Sequence, residues 1–423
     1  SVFSLGMKAH NYIIIIILIG VVFSQCTTGK TALEHYENES KVILRNDNVQ
    51  LKFYHFSDDS TSLFLKIKNS ELLASRKTNS KELTTSISGQ ILLLDSQGNR
   101  TIDTVLFKAN GRTSSDESYF YFYSINFPLK DLNFYNYHLI IKDENRATQY
   151  TISGTINKTS ELIRENVLLL QRENTYPNFN LLINNKSSYS LTSERLDLTQ
   201  TELWFRPANG SLPPPPYSTS KQDPPEISEF EILTIPVAKN ELIFTNFPLG
   251  DILLKKDSIG LSLLVRPNKY PELTSISEMI YPLRYISARK EFERLNTNSN
   301  LRSGLERFWL DCGESQERAR ELMAAFYERV QMANLNFSSY KSGWKTDRGM
   351  IFTVFGTPSE FAMDAVSETW VYGDKDDLGS VKFKFNNITN GFSDNHYELK
   401  RNSIYKSEWA KKVSAWRNGR IYN

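Results

Sequence analysis

Cysteine and histidine are scarce, and the scarcity excludes several kinds of chemistry. The 423 residues hold 2 cysteines and 5 histidines. Cys26 ends an apolar run and Cys312 lies far along the chain, so a disulfide framework is excluded. His10 and His35 fall near the N-terminus, and His55, His138 and His396 occur singly in β-like stretches, where each reads as a structural residue. No His-Glu-x-x-His, Cys-x-x-Cys or Gly-x-Ser-x-Gly occurs, which removes the commonest zinc and serine-hydrolase signals. A strong charge of either sign is also missing: 50 Lys and Arg face 48 Asp and Glu, interspersed, for a net charge of +2. Nothing in that balance is a footprint for nucleic acid. Gly29-Lys30-Thr31 lacks the preceding strand and first glycine of a phosphate loop, and Asp374-x-Asp376 lacks the glutamate of a calcium loop. Neither a metal nor a cofactor is expected.

The longest hydrophobic run, Tyr12 to Phe23, is also too short to span a bilayer comfortably, since spanning takes about 20 apolar residues. Preceded by Met7-Lys8 and followed by Ser24-Gln25, it reads as a signal peptide over residues 1–25. Cys26 then resembles the cysteine that bacterial lipoprotein processing acylates, and several acyl chains hold a protein firmly on a membrane, at about 0.8 kcal/mol per buried methylene. The polar stretch 26–44 reads as a tether. Thr27-Thr28-Gly29-Lys30 has no acidic cluster to mark surface export, so the expectation is an outer-membrane lipoprotein facing the periplasm.

Beyond the tether, β patterns dominate. Leu63, Leu65 and Ile67 alternate with polar neighbours, and Ile91–Leu94, Ile102–Phe107, Tyr119–Phe127, His138–Ile141 and Tyr150–Ile152 are further apolar runs. Ser96–Asn99, Asn110-Gly111 and Asp143–Asn145 separate several of them, a spacing that predicts a β-sandwich-like domain over 45–155. A second is expected over 156–285, from Val167–Leu170, Asn180–Ile183, Leu203–Phe205, Phe230–Leu233, Leu242–Phe244 and Leu261–Val265. The run Leu212 to Tyr217, with four consecutive prolines and with Pro224-Pro225 nearby, cannot continue a sheet and predicts an exposed, stiff loop.

The last region, 286–423, changes character to α+β. Leu322, Phe326, Val330 and Ala333 recur at helical spacing. Thr369–Gly373 and Val381–Phe385 read as strands joined by the turn Asp374–Gly379, and Glu408 to Trp416 as a closing helix. Between them lies Gly343-Trp344-Lys345-Thr346-Asp347-Arg348-Gly349, followed by Met350–Phe355, which has the apolar character of a buried strand, and the turn Gly356-Thr357-Pro358. Gly343 permits close backbone approach, Thr346 and Asp347 can bond nearby amides, and Trp344 is expected to fill a gap between helix and sheet. Asp347 beside Arg348 could form local ion pairs, but exposed pairs stabilise by only about 0–1 kcal/mol, so Coulomb attraction is not reason enough for them. The motif therefore reads either as a turn that seats a tryptophan or as a recognition surface of Trp344, Lys345, Asp347 and Arg348.

This motif resembles the signature of GWxTD-domain proteins, with the likeness running from Leu305 onward and more weakly over Tyr281–Glu293. Phe355–Pro358 and Trp370–Tyr372 are similar, over those residues alone, to the Gly-x-Pro turn and Trp-x-Tyr strand of small lipoproteins in the barrel-assembly machinery of outer membranes. The resemblance implies a cell-envelope protein and supplies no reaction. The expectation is a non-enzymatic scaffold or recognition component of an envelope assembly, secretion or motility complex, with envelope proteins as partners. One alternative is a glycan- or peptide-binding lipoprotein using Trp204, Phe205 and Tyr217, and another is a hydrolase with noncontiguous carboxylates.

Overall fold

The computed structural model describes residues 48–421, apart from 77–82, 97, 99, 112–119, 131–133, 147, 160, 173, 175, 208–210, 221–225, 236, 365, 374–379, 389 and 390. The expected signal peptide, Cys26, the tether, Pro224-Pro225 and the turn Asp374–Gly379 lie outside the described residues. What is described is mainly β: several antiparallel sheets, followed by a helical segment and a small C-terminal antiparallel sheet.

The first β region contains β1 (Val49–His55), β2 (Ser60–Lys68), β3 (Ser86–Leu94), β4 (Thr101–Asn110), β5 (Phe120–Pro128), β6 (Phe134–Asp143) and β7 (Gln149–Asn157). They form two sheets, ordered β1-β2-β5 and β4-β3-β6-β7. Register follows from the alternation: Val49, Leu51 and Phe53 stand opposite Ile67, Leu65 and Leu63. A slip of one residue would turn all of them to solvent, so this pairing is strongly specified. From the facing sheet, Ile87, Ile91, Tyr135, Tyr137, Leu139 and Ile141 close on the same core.

The second β region repeats the plan with β8 (Leu168–Gln171), β9 (Leu182–Asn184), β10 (Ser188–Thr192), β11 (Glu202–Pro207), β12 (Glu231–Leu233), β13 (Val237–Ala238), β14 (Glu241–Thr245), β15 (Gly250–Lys256) and β16 (Ile259–Arg266). Its sheets run β8-β10-β14-β13 and β9-β16-β15-β11-β12, with β9 and β16 parallel. Leu169, Leu191 and Leu242 line up across three strands and meet Ile252, Leu254, Leu261 and Leu263 from the other sheet.

The third core belongs to α1 (Ile276–Ile280), α2 (Arg289–Asn296), α3 (Leu301–Gly313), α4 (Gln316–Phe337), α5 (Asp347–Phe355), α6 (Tyr405–Arg417) and the sheet β17 (Glu360–Met363), β18 (Ser367–Tyr372), β19 (Val381–Asn387), β20 (Tyr397–Leu399). Helix α4 starts where Ser315 accepts a hydrogen bond from Arg318 N, and it buries Leu322, Phe326, Val330 and Ala333 as the periodicity predicts. Trp409 and Trp416 of α6 are buried in the same core.

Two expectations are overturned. Met350–Phe355 is not a strand but the body of α5, all of whose residues are buried. A helix buried on every side shows no polar face, so its periodicity is invisible in the sequence. The cues that define it are the caps: Thr346 accepts from Gly349 N at the start, and Gly356 (φ 85°) ends it. Nor is the proline segment a free loop. Pro213 and Pro216 are buried, Leu212 and Tyr217 pack on the third core, and the Pro214 and Pro216 carbonyls accept from Arg401 and from Asn402 N at 3.1 Å each.

Candidate functional site

The Gly343–Gly349 motif lies where α4, α5, β18 and β20 converge. Two glycines allow that approach. A Cβ on Gly343 would stand 1.9 Å from the Ala333 carbonyl oxygen, and one on Gly349 would stand 1.9 Å from the Gly343 carbonyl oxygen. Only a residue without a side chain fits either place. Trp344 is buried, with its ring edge-on to Tyr285 at 5.9 Å, while the Tyr285 hydroxyl donates to the Trp344 carbonyl at 2.9 Å. Trp344 N donates to Asn334 Oδ1 at 3.3 Å, and Gly343 N to Ser338 Oγ at 3.1 Å. Thr346 Oγ1 donates to the Gly343 carbonyl at 2.7 Å and accepts from Gly349 N at 3.0 Å, so one hydroxyl closes the turn and caps α5.

Asp347 and Arg348 form no local ion pair; each reaches a distant partner in the interior. The Asp347 carboxylate accepts from Leu399 N at 2.7 Å and from both terminal nitrogens of Arg401. Arg348 donates to Glu368 Oε1 at 2.8 Å and to the Asn395 carbonyl and Oδ1 at 2.9 and 2.7 Å, with its guanidinium 4.0 Å from the centre of the Tyr397 ring. The other Glu368 oxygen accepts from the Trp370 indole at 3.2 Å. Tyr372 donates to the Gly356 carbonyl at 2.9 Å, and Pro358 is buried at the same turn. Trp344, Asp347 and Arg348 are 4–5 % exposed, and Lys345 is half-buried, so these side chains are spent on the interior. Burial pushes the Lys345 amine down, helped by Arg266. Lys341 lies nearby, and burial lowers its amine to about 7 despite the opposing charge of Asp347.

A second network joins this core to the second β region. Asp251 on β15 is fully buried between Arg206 at 3.0 Å and Arg266 at 2.8 Å, and Arg206 also donates to the Tyr340 carbonyl at 3.4 Å. Phe392 stacks on Phe230 at 5.6 Å, and its carbonyl accepts from Ser262 on β16 at 2.6 Å. A Cβ on Gly260 would lie 1.8 Å from the Gly391 carbonyl oxygen. Asp394 takes three hydrogen bonds from Arg164, through the backbone N, Nε and Nη2, at 2.7–2.9 Å.

Asp394 also brings a carboxylate pair of shifted acidity into view, the feature an acid–base hydrolase needs. Burial, then Asp394, raises the Glu165 carboxyl, whereas Arg164 overcomes the effect of burial on Asp394 and holds it low. The gap beside Arg164 and Asn395 measures only about 20 Å³, room for about one water molecule and not for a substrate.

The aromatics expected to read a glycan are not on one surface. Trp204 and Phe205 are consecutive on β11 and face opposite sides of its sheet, and Tyr217 lines a separate cleft of about 920 Å³ with Tyr285, Trp409 and Val413. Of the histidines, His55 is buried with both nitrogens engaged, to Thr61 Oγ1 and the Asn157 carbonyl at 2.8 Å each, and His138 meets Ser153 Oγ at 2.7 Å. Cys312 is a buried free thiol, pushed up to about 11 by burial. Among the described residues no group of His, Cys, Asp and Glu could hold a metal, and no helix is long and apolar enough to cross a membrane.

With this geometry in place, the comparison with known families is informative. Residues 252–418 match the GWxTD domain, so this β-rich, multi-sheet chain carries a GWxTD domain. The match begins in β15, well before the Leu305 start read from the sequence. The earlier start has a physical reason: β15 and β16 carry Gly260, Ser262 and Arg266, which hold the 391–394 loop and the Asp251 network. No curated protein matches the chain.

Proposed function

We propose that this protein is a lipoprotein of the outer membrane, anchored through Cys26, that serves as a non-enzymatic scaffold or recognition component of an envelope assembly. The observation carrying this reading is the use made of the motif: its charged residues are consumed in buried networks that fasten helices, sheets and the proline segment together. Such networks are means of holding a shape, and a shape held away from the lipid is what a scaffold offers. Partners would then meet the outer faces and loops of the β regions, where large apolar side chains such as Leu106 (76 % exposed) and Ile232 (69 % exposed) stand in solvent.

The test is a crosslinked pull-down of the tagged protein from its native envelope, with crosslink sites mapped by mass spectrometry, beside radiolabelled palmitate incorporation. The reading expects label on the wild type and none on Cys26→Ser, and partner crosslinks on the β regions. Absence of label on the wild type would remove the anchor, and absence of reproducible envelope partners would remove the scaffold. The glycan-binding alternative is favoured by a cavity away from Trp204 and Tyr217, lined by Tyr176 and several carboxamides.

A further inference from the structure

Where the three cores meet, a cavity of about 370 Å³ opens, within the size range of small-ligand sites, about 300–1,000 Å³. Its wall is unusual in composition. Carboxamides come from both β regions: Gln50 on β1, Gln171 on β8, Asn178 and Asn180 before β9, Asn184 on β9 and Asn268 after β16. Among the described residues no carboxylate lines it, and the two cations in its wall are already engaged, Arg266 with Asp251 and the Gly250 carbonyl, Lys66 over the Phe120 ring at 4.2 Å. Tyr176 and Phe179 add half-buried rings, and Tyr176 is stacked flat on Phe122 at 4.0 Å, 14° from parallel.

Several of these amides are held in fixed orientation. Asn184 donates to Asn268 Oδ1 at 2.6 Å, and Asn178 donates to the Leu182 carbonyl at 2.9 Å. Asn184 Oδ1 also accepts from Lys186 N at 3.0 Å, but a carboxamide has two donors and a carbonyl oxygen with two lone pairs, so one bond donated and one accepted still leave a donor and a lone pair on the same group. That pattern suits a ligand with adjacent hydroxyls, each able to donate and accept. A rigid aromatic with a polar tip suits the apolar face of a ring carried beside those hydroxyls. Among the described residues, the lack of a lining carboxylate and the engagement of both cations give no preference for a charged ligand, and a compact cavity does not suit an extended peptide.

We propose that this inter-domain cavity is a binding site for a neutral mono- or disaccharide, with Tyr176 as its aromatic platform and the Asn178, Asn184 and Asn268 carboxamides as its hydroxyl readers. The site is independent of Trp204 and Tyr217 and of the scaffold reading, which stands or falls by its own pull-down. Because the wall draws on all three cores, bound sugar also stabilises their junction.

The experiment is saturation-transfer NMR and calorimetry on the full folded chain. The probes are methyl glucoside, methyl galactoside, N-acetylglucosamine, cellobiose, maltose and N,N′-diacetylchitobiose, with glucuronate and triglycine as comparators. At least one neutral sugar binds and raises the unfolding temperature. Tyr176→Ala weakens it by about tenfold, exposed Asn268→Ala by about threefold, and the distant Trp204→Ala leaves it unchanged. No neutral sugar binding at about 10 mM, equal binding by wild type, Tyr176→Ala and Asn268→Ala, or preference for glucuronate or triglycine would each overturn the assignment. If Tyr176→Ala does not fold, Asn268→Ala and the ligand panel still decide it.

Discussion

The first β region and the GWxTD domain both bury charge-bearing side chains, but they satisfy them differently. In the first region the partners include main-chain oxygens of strand ends and connections: Lys158 donates to the Ser57 and Ser60 carbonyls at 2.6 and 3.0 Å, His55 to that of Asn157, and Lys52 to that of Arg164 at 3.0 Å. In the GWxTD domain main-chain groups also take part, but each charge is completed by an opposite charge far away in sequence, Arg348 by Glu368 and Asp347 by Arg401. A main-chain oxygen is present whatever residue stands there. A side-chain partner can be lost by one substitution, and breaking a buried pair from one side leaves an uncompensated charge. The GWxTD domain is therefore the region where single polar changes cost most.

The largest effect expected is at that pair. Arg348→Ala should cost about 3–5 kcal/mol in chemical denaturation, because Glu368 is 4 % exposed and loses its cation. Gly343→Ala comes next, at about 1–3 kcal/mol or more, since the new methyl meets a main-chain oxygen that cannot swing aside. Asp394→Ala removes three hydrogen bonds to a partly exposed arginine and should cost about 1.5–3 kcal/mol, with faster hydrogen exchange at Arg164, in the 391–396 loop and in its β15–β16 neighbours. The first β region should be unaffected by the first two, whereas Asp394→Ala reaches it through the bond from Lys52 to the Arg164 carbonyl.

Titration sharpens the same contrast. Lys341 is lowered from its ordinary value to about 7, so between pH 7 and 10 the unfolded chain binds the proton that the folded chain has released. Stability then rises with pH across that window, and Lys341→Met should flatten the rise. Above pH 10 the trend reverses, because burial holds Tyr285 and Tyr372 well above the ordinary value and only the unfolded chain ionises them. His55, lowered to about 3 chiefly by burial and then by Lys158, gives the first region an acid limit: its contribution is complete above pH 6.5 and is lost as pH falls toward 3. The smallest effect expected is Trp204→Ala, on a half-exposed strand face, within about 0.5 kcal/mol of wild type.

How legible each region was in the sequence follows from the same difference. Alternation over Leu63, Leu65 and Ile67, and helical spacing over Leu322, Phe326, Val330 and Ala333, are local patterns, and the structure has strands and a helix there. The full burial of α5 erased its period, and only its caps at Thr346 and Gly356 marked it. Nothing local tells Arg348 to pair with Glu368, or Asp251 with Arg206 and Arg266, because those partners stand 20, 45 and 15 residues apart and meet only once their own strands and helices are in place. The proline segment was read correctly as incompatible with a sheet, but its docking depends on Arg401 and Asn402, almost two hundred residues away. The amide-lined cavity was equally hidden, since its wall is gathered from three regions.

The charged residues of the motif act by holding the domain together. The most direct test is a cycle of Arg348→Met, Glu368→Met and the double variant, following unfolding by tryptophan fluorescence and capturing envelope partners with each folded protein. Each single change should be strongly destabilising, the double change should recover much of the loss because no lone charge remains buried, and the folded double variant should keep its partners. Single variants as stable as wild type that nonetheless lose their partners would contradict the claim and make the motif a recognition element.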